Sequence, residues 1–138
     1  MPLLRVSGHR LRDGHNREVI LHGINVSGDA KLPSRPDLPS QVAAGFFNGD
    51  AVSFAERPFP LSDAPAHFAR LRRWGYNTIR YIFTWEAIEH DGPGRYDDEF
   101  VRHTVETLRV AKEFGFRVFM DPHQDVVRRD GPNLVQRG

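Results

Sequence analysis

Two short runs rich in β-branched and aromatic residues, Tyr76 to Phe83 and Phe116 to Asp121, each lead into an ionisable cluster, and a helix-patterned stretch lies between them. That order predicts an α/β chain built as the N-terminal part of a TIM (β/α)8 barrel: a hairpin plus about three βα units, with the barrel incomplete. Barrels of this kind assemble their sites from groups at the C-terminal ends of successive strands. The third observation is length. The sequence stops at Gly138, whereas closing such a barrel takes about 250 residues.

The elements follow in order. Leu4-Arg5-Val6 and His9-Arg10-Leu11 flank Ser7-Gly8, and Asp13-Gly14 supplies the next turn, which reads as a small hairpin. Val19 to Val26 is a nearly continuous apolar run, the pattern of a strand buried in a parallel sheet. From Ser27 to about Pro60 the chain is rich in Pro, Gly, Ser and Asp, with Phe46, Phe47, Phe54 and Phe59 interspersed. A connection of this length in a compact domain is usually functional or disordered, and its aromatics favour function.

The first helix is expected next. Ser62 or Asp63 can cap it, Pro65 suits its first turn, Phe68, Leu71 and Trp74 form its apolar stripe, and Gly75 ends it. The strand Asn77 to Phe83 leads to a polar turn ending in Asp91-Gly92-Pro93-Gly94, with Glu86 and Glu89 expected on a solvated helical turn. Asp97-Asp98-Glu99 then places negative charge where the dipole of the second helix favours it. Phe100, Thr104, Leu108 and Ala111 share one face of that helix, and Gly115 stops it before the third long strand.

Bulk properties exclude several classes. A formal net charge of +1 gives no reason to expect nucleic acid as a partner. The absence of cysteine removes disulfides, thiolate nucleophiles and cysteine zinc sites. Met1 to Arg5 holds too short an apolar run for a signal peptide, and no later stretch approaches a membrane span. An intracellular, cytoplasmic protein without stable membrane insertion is therefore expected. Composition sets no oligomeric state.

Side chains alternate across a strand, so Arg117, Phe119, Asp121 and His123 form one set, Thr78, Arg80 and Ile82 another, and Leu21, Gly23 and Asn25 a third. With the greasier sets under the helices, Asn25, Arg80 and His123 point towards the barrel axis near its top. Singly, each has a structural reading: a turn-forming Asn, an ion-paired Arg, a satisfied His. Their coincidence at equivalent strand ends favours a site. Asp121 and Asp125 are weaker candidates, because an acid beside proline commonly only shapes the turn. Asp121, His123 and Asp125 could also ligate a metal, but the His22-Gly23-Ile24 stretch lacks the H-x-H pair common in barrel metallohydrolases. No metal and no cofactor are expected.

Val19 to Gly28, Asn77-Thr78-Ile79-Arg80, Trp85-Glu86-Ala87-Ile88-Glu89 and Met120-Asp121-Pro122-His123-Gln124-Asp125-Val126 together resemble glycoside hydrolase family 5, in its fungal glucosylceramidase and steryl-glucoside β-glucosidase branch, related to endoglycoceramidases. The resemblance runs from about Leu4 to Val126. It implies retaining hydrolysis of β-glucosides of lipids by two glutamates, acid/base and nucleophile. It also implies that Arg80 keeps the nucleophile ionised, that His123 and Asp125 bind the sugar beside the scissile bond, and that Lys31 reaches the sugar hydroxyls. A nearby guanidinium favours the ionised form of a carboxylate, as a nucleophilic carboxylate requires.

Two departures stand against that pattern. Val127 to Gly138 looks unrelated to the family, which predicts a barrel portion over 1–126 and a divergent tail over 127–138. The Asn-Glu-Pro motif of the family and its later nucleophile glutamate do not occur in the sequence. No catalytic residue is therefore assigned, and an inactive truncated fragment or pseudoenzyme is the alternative expectation.

Overall fold

The structure, a computed structural model, describes residues 3–26, 30 and 57–123. Its elements are β1 (Arg5–Ser7), β2 (Arg10–Arg12), β3 (Gly23–Val26), a 3-10 turn (Leu61–Asp63), α1 (Ala64–Arg73), β4 (Thr78–Phe83), α2 (Trp85–Glu89), α3 (Asp98–Glu113) and β5 (Arg117–Pro122). Most of the connection from Ser27 to Pro60, with Phe46, Phe47 and Phe54, lies outside the described residues, as do Lys31, Asp125 and the tail 127–138.

The expected hairpin forms, with β1 and β2 antiparallel around Gly8 at φ +61°. Asp13 organises the turn that follows. Its Oδ1 accepts from the backbone N–H groups of His15 and Arg17 at 2.9 and 3.0 Å, and its Oδ2 accepts from Arg17 Nε at 2.8 Å. The Arg17 side chain, helped by those N–H groups against the effect of burial, holds the Asp13 carboxyl down at about 2.

The strand expected over Val19 to Val26 is shorter than the apolar run. Glu18 bridges to Arg12 and the Val19 N–H donates to Leu11 O, so the start of the run pairs with the hairpin. The Asn77 side chain then spans the gap, donating to Ile20 O at 2.8 Å and accepting from the His22 N–H at 3.0 Å. Only Gly23 onwards joins the parallel sheet, in the order β3-β4-β5. Its register sets Asn25 beside Arg80, Arg80 beside Phe119 and Ile82 beside Asp121.

One face of this sheet carries the core. Val26, Ile79 and Tyr81 are buried there with Ala64 and Phe68 of α1, Ala111 of α3, and Phe116. Phe68 is fully buried, with the rings of Phe116, Phe59 and Phe114 at 5.6, 6.1 and 6.5 Å. The Tyr81 hydroxyl lies by Thr104 and Thr107 of α3, and burial pushes its ionisation up. Phe100, Thr104 and Ala111 are buried as their spacing predicts.

Helix ends follow local rules. Asp97 caps α3 by accepting from the Phe100 N–H at 2.7 Å, and Thr84 caps α2 by accepting from the Ala87 N–H at 3.1 Å. Gly75 and Gly115, at φ +88° and +75°, end α1 and α3 in the left-handed conformation that glycine tolerates. Asp63 differs from expectation. Its backbone is helical and its side chain makes no capping bond, because a 3-10 turn already leads into α1.

Two packing expectations are corrected. Trp74 is exposed: α1 stops at Arg73, and at 3.6 residues per turn six positions carry Trp74 about 120° round the helix from Phe68. Val118 and Met120 were expected under helices with Phe116, but both are exposed, and only Phe116 reaches the cluster around Phe68. Among the described residues, no helix is long and apolar enough to cross a membrane.

Candidate active site

The sheet face opposite α1 and α3 gathers the ionisable groups. Arg80 lies mid-strand in β4, Asp121 near the end of β5, and His123 one residue past it. The His123 N–H donates to Phe83 O at 2.9 Å, carrying the β4–β5 register one residue beyond the strand. Alternation then brings Asp121 and His123 to the side that Arg80 occupies.

Three side chains meet there. Arg80 Nη2 is 2.7 Å from Asp121 Oδ2, His123 Nδ1 is 3.2 Å from the same oxygen, and Arg80 Nη2 is 3.4 Å from His123 Nδ1. The Asp121 side chain is 17% exposed against 38% for Arg80, and its Oδ2 is closed to solvent. A cation, a carboxylate and an imidazole thus form a triangle on a part-buried face, where charge interactions exceed those at the open surface.

Of the five candidates from the sequence, Asn25, Arg80 and His123 share this face, Asn25 standing in register with Arg80. Lys31 and Asp125 lie outside the described residues. Asp121, set aside as a turn former, holds the centre of the triangle. The signal for it was present in the alternation, which puts Asp121 in one set with His123.

Glu89 also differs from expectation. It is half-buried, accepting from Trp85 Nε1 at 2.7 Å and from the Gly94 N–H, so it fastens α2 to the turn after it. A cleft of about 240 Å³ between the end of β3 and α1 is lined by Val26, Phe59, Leu71 and Trp74 among others and contains none of the triangle residues. Among the described residues, no group of three or more His, Cys, Asp or Glu could hold a metal ion.

A parallel sheet of three strands with helical crossovers and polar groups gathered on one face fits the class of (β/α) barrels, which build their sites on such strands. Residues 47–136 match the cellulase family, glycosyl hydrolase family 5, and the chain belongs to that family. It is 64% identical over 126 residues to a glucosylceramidase of Aspergillus fumigatus, covering 91% of this chain and 17% of that protein. It is 41% identical over 123 residues to an ergosteryl-beta-glucosidase of Saccharomyces cerevisiae, covering 85% and 16%. The crystal structure of Cryptococcus neoformans sterylglucosidase 1 with tris superposes with a TM-score of 0.70 at 43% identity, over 88% of this chain and 17% of that one. The chain therefore spans about a sixth of the length of these relatives. Its described residues are the hairpin and first βα units of a TIM barrel.

Proposed function

We propose that these residues form the N-terminal part of the site of a retaining β-glycosidase that releases glucose from lipid glucosides such as glucosylceramide or a steryl glucoside. The observation that carries the reading is the 64% identity to a glucosylceramidase over nearly the whole chain. The gathering of Arg80 and His123 on one sheet face supports it. In this reading Arg80 keeps a nucleophilic glutamate ionised, His123 and Asp125 bind the sugar next to the scissile bond, Lys31 reaches its hydroxyls, and Asn25 lines the same wall.

Retaining hydrolysis needs two carboxyl groups roughly 5 Å apart across the bond that breaks. The family's Asn-Glu-Pro motif does not occur within these 138 residues. We therefore propose that hydrolysis requires further strands of the barrel and that the 138-residue polypeptide alone is inactive.

A hybrid enzyme tests the glycosidase reading. Residues 1–126 would replace the matching segment of the Aspergillus fumigatus glucosylceramidase, and release of glucose from glucosylceramide and from a steryl glucoside would be measured. Hydrolysis of at least one is expected. A folded hybrid that cleaves neither would overturn the proposal.

A further inference from the structure

We propose that Trp85 is an aglycone-binding residue: its half-exposed indole, fixed by Glu89 just beyond the end of β4, gives the lipid part of a glucoside an apolar surface beside the sugar site. The inference rests on the glycosidase reading and adds to it the residue that meets the lipid.

Position is the first support. β4 ends at Phe83, whose carbonyl accepts from the His123 N–H at 2.9 Å. Trp85 opens α2 two residues later, so it leaves the sheet at the same end as His123. Groups at such strand ends are the ones from which a barrel builds its site. α2 packs against α3 and buries Ala87. At 3.6 residues per turn Trp85 lies about 200° round α2 from Ala87, on the side turned away from the core. Its exposure of 51% agrees with that placement.

Fixation is the second. A lone exposed aromatic is ordinary on a protein surface, and an exposed side chain commonly changes rotamer freely. This one is held. Trp85 Nε1 donates to Glu89 Oε2 at 2.7 Å, and Glu89 Oε1 accepts from the Gly94 N–H. The Asp97 N–H donates to Ile88 O at 2.8 Å, closing the turn after α2 back onto the helix. The carboxylate that holds the indole is thus itself held. A ring fixed before binding loses less freedom when a ligand arrives.

The chemistry selects the ligand. An indole has one polar group, a donor N–H, and Glu89 occupies it here. What Trp85 still presents is ring surface, which suits hydrocarbon rather than a sugar hydroxyl. Covering that surface with an alkyl chain or a sterol ring system removes apolar area from water on both partners.

Alkyl β-glucosides from methyl to octyl, below their micellar concentrations, test this in the hybrid enzyme. Their alcohols are leaving groups of similar quality, so a gain in kcat/KM with length reports contact with the chain. The parent is expected to favour octyl over methyl β-glucoside by about tenfold or more, and Trp85→Ala to reduce that preference to about threefold or less. Trp85→Phe should keep most of it. Glu89→Leu, which releases the indole, should lower it part of the way and add little on the Trp85→Ala background, because residues that act as a unit are not additive. A preference unchanged in Trp85→Ala, whether both rates fall together or neither falls, would overturn the inference. If Trp85→Ala does not fold, an unchanged preference in Glu89→Leu overturns it instead. A parent that hydrolyses methyl β-glucoside without favouring octyl would also overturn it while leaving the glycosidase reading intact. A parent hybrid without any hydrolysis would remove the function and this inference together.

Discussion

Arg80 and Asp121, on neighbouring parallel strands and separated by 41 positions in sequence, meet through Nη2 and Oδ2 at 2.7 Å. The register that allows this pairs Ile82 with Asp121, so the arginine reaches diagonally across the sheet face. His123 completes the group from beyond the strand end.

Arg80→Ala and His123→Ala in the hybrid enzyme are each expected to lower kcat/KM by more than tenfold, which corresponds to about 1.4 kcal/mol of transition-state stabilisation or more. Unchanged melting with lowered turnover would locate the loss in the site. Near-normal kinetics in both variants would return these residues to a purely structural role.

The 138-residue polypeptide itself is expected not to hydrolyse an aryl β-glucoside. Asp121, the part-buried carboxylate on this face, is in contact with both Arg80 and His123, whereas retaining hydrolysis needs two carboxyl groups roughly 5 Å apart across the bond that breaks. Turnover that survives purification and vanishes in Asp125→Ala would show that the chemistry has been misplaced.

That same polypeptide is expected to bind a hydrophobic dye and to associate. Among the described residues β3 and β5 each pair on one side only, and such edges template intermolecular pairing. On the inward face Phe119 is 63% exposed and Leu21, in the run leading to it, 45%. Full burial of a large apolar side chain is worth about 1.5–3 kcal/mol, against a net stability of about 5–15 kcal/mol for an intact domain. A sharp cooperative melt from a monodisperse monomer would contradict this expectation.

Asp13 sets an acid limit on the hairpin. Its folded value of about 2 lies below the ordinary 3.8, so the folded state binds this proton more weakly than the unfolded state. The stability it contributes is complete above the ordinary value and is lost as pH falls towards about 2. Asp13→Asn should lose the contribution at neutral pH and flatten this part of the acid response. Parallel denaturant titrations of parent and variant at neutral pH and near pH 3 measure the difference.

Two substitutions separate packing from capping. Phe68→Ala empties the centre of a cluster of four phenylalanine rings and is expected to cost about 3–5 kcal/mol. Asp97→Ala removes one hydrogen bond to the Phe100 N–H and should cost about 1 kcal/mol. Denaturant midpoints in the hybrid enzyme check the order, and a cap loss as large as the core loss would mean that Asp97 does more than close the helix.

Much of the fold was legible because it is set by local rules. The hairpin around Gly8, the helix stops at Gly75 and Gly115, the Asp97 start of α3 and the face carrying Phe100, Thr104 and Ala111 all follow from short-range spacing. The length of β3 was not legible. Its boundary depends on Asn77, 55 positions away from His22, whose side chain takes the place of a strand neighbour. Trp74 shows a limit at short range, since steps of three residues drift round a helix of 3.6 residues per turn and leave the sixth position about 120° from Phe68.

The sequence by itself determined the alternation of strand and helix and, within each strand, the set to which Arg80 on one side and Asp121 and His123 on the other belong, because both depend on periods of two and 3.6 residues along one chain. Only the tertiary structure decided that Asp121 is the carboxylate shared by the other two. That role depends on how β4 and β5 slide against each other, and a one-residue change in that register would turn the two strands' polar groups to opposite faces.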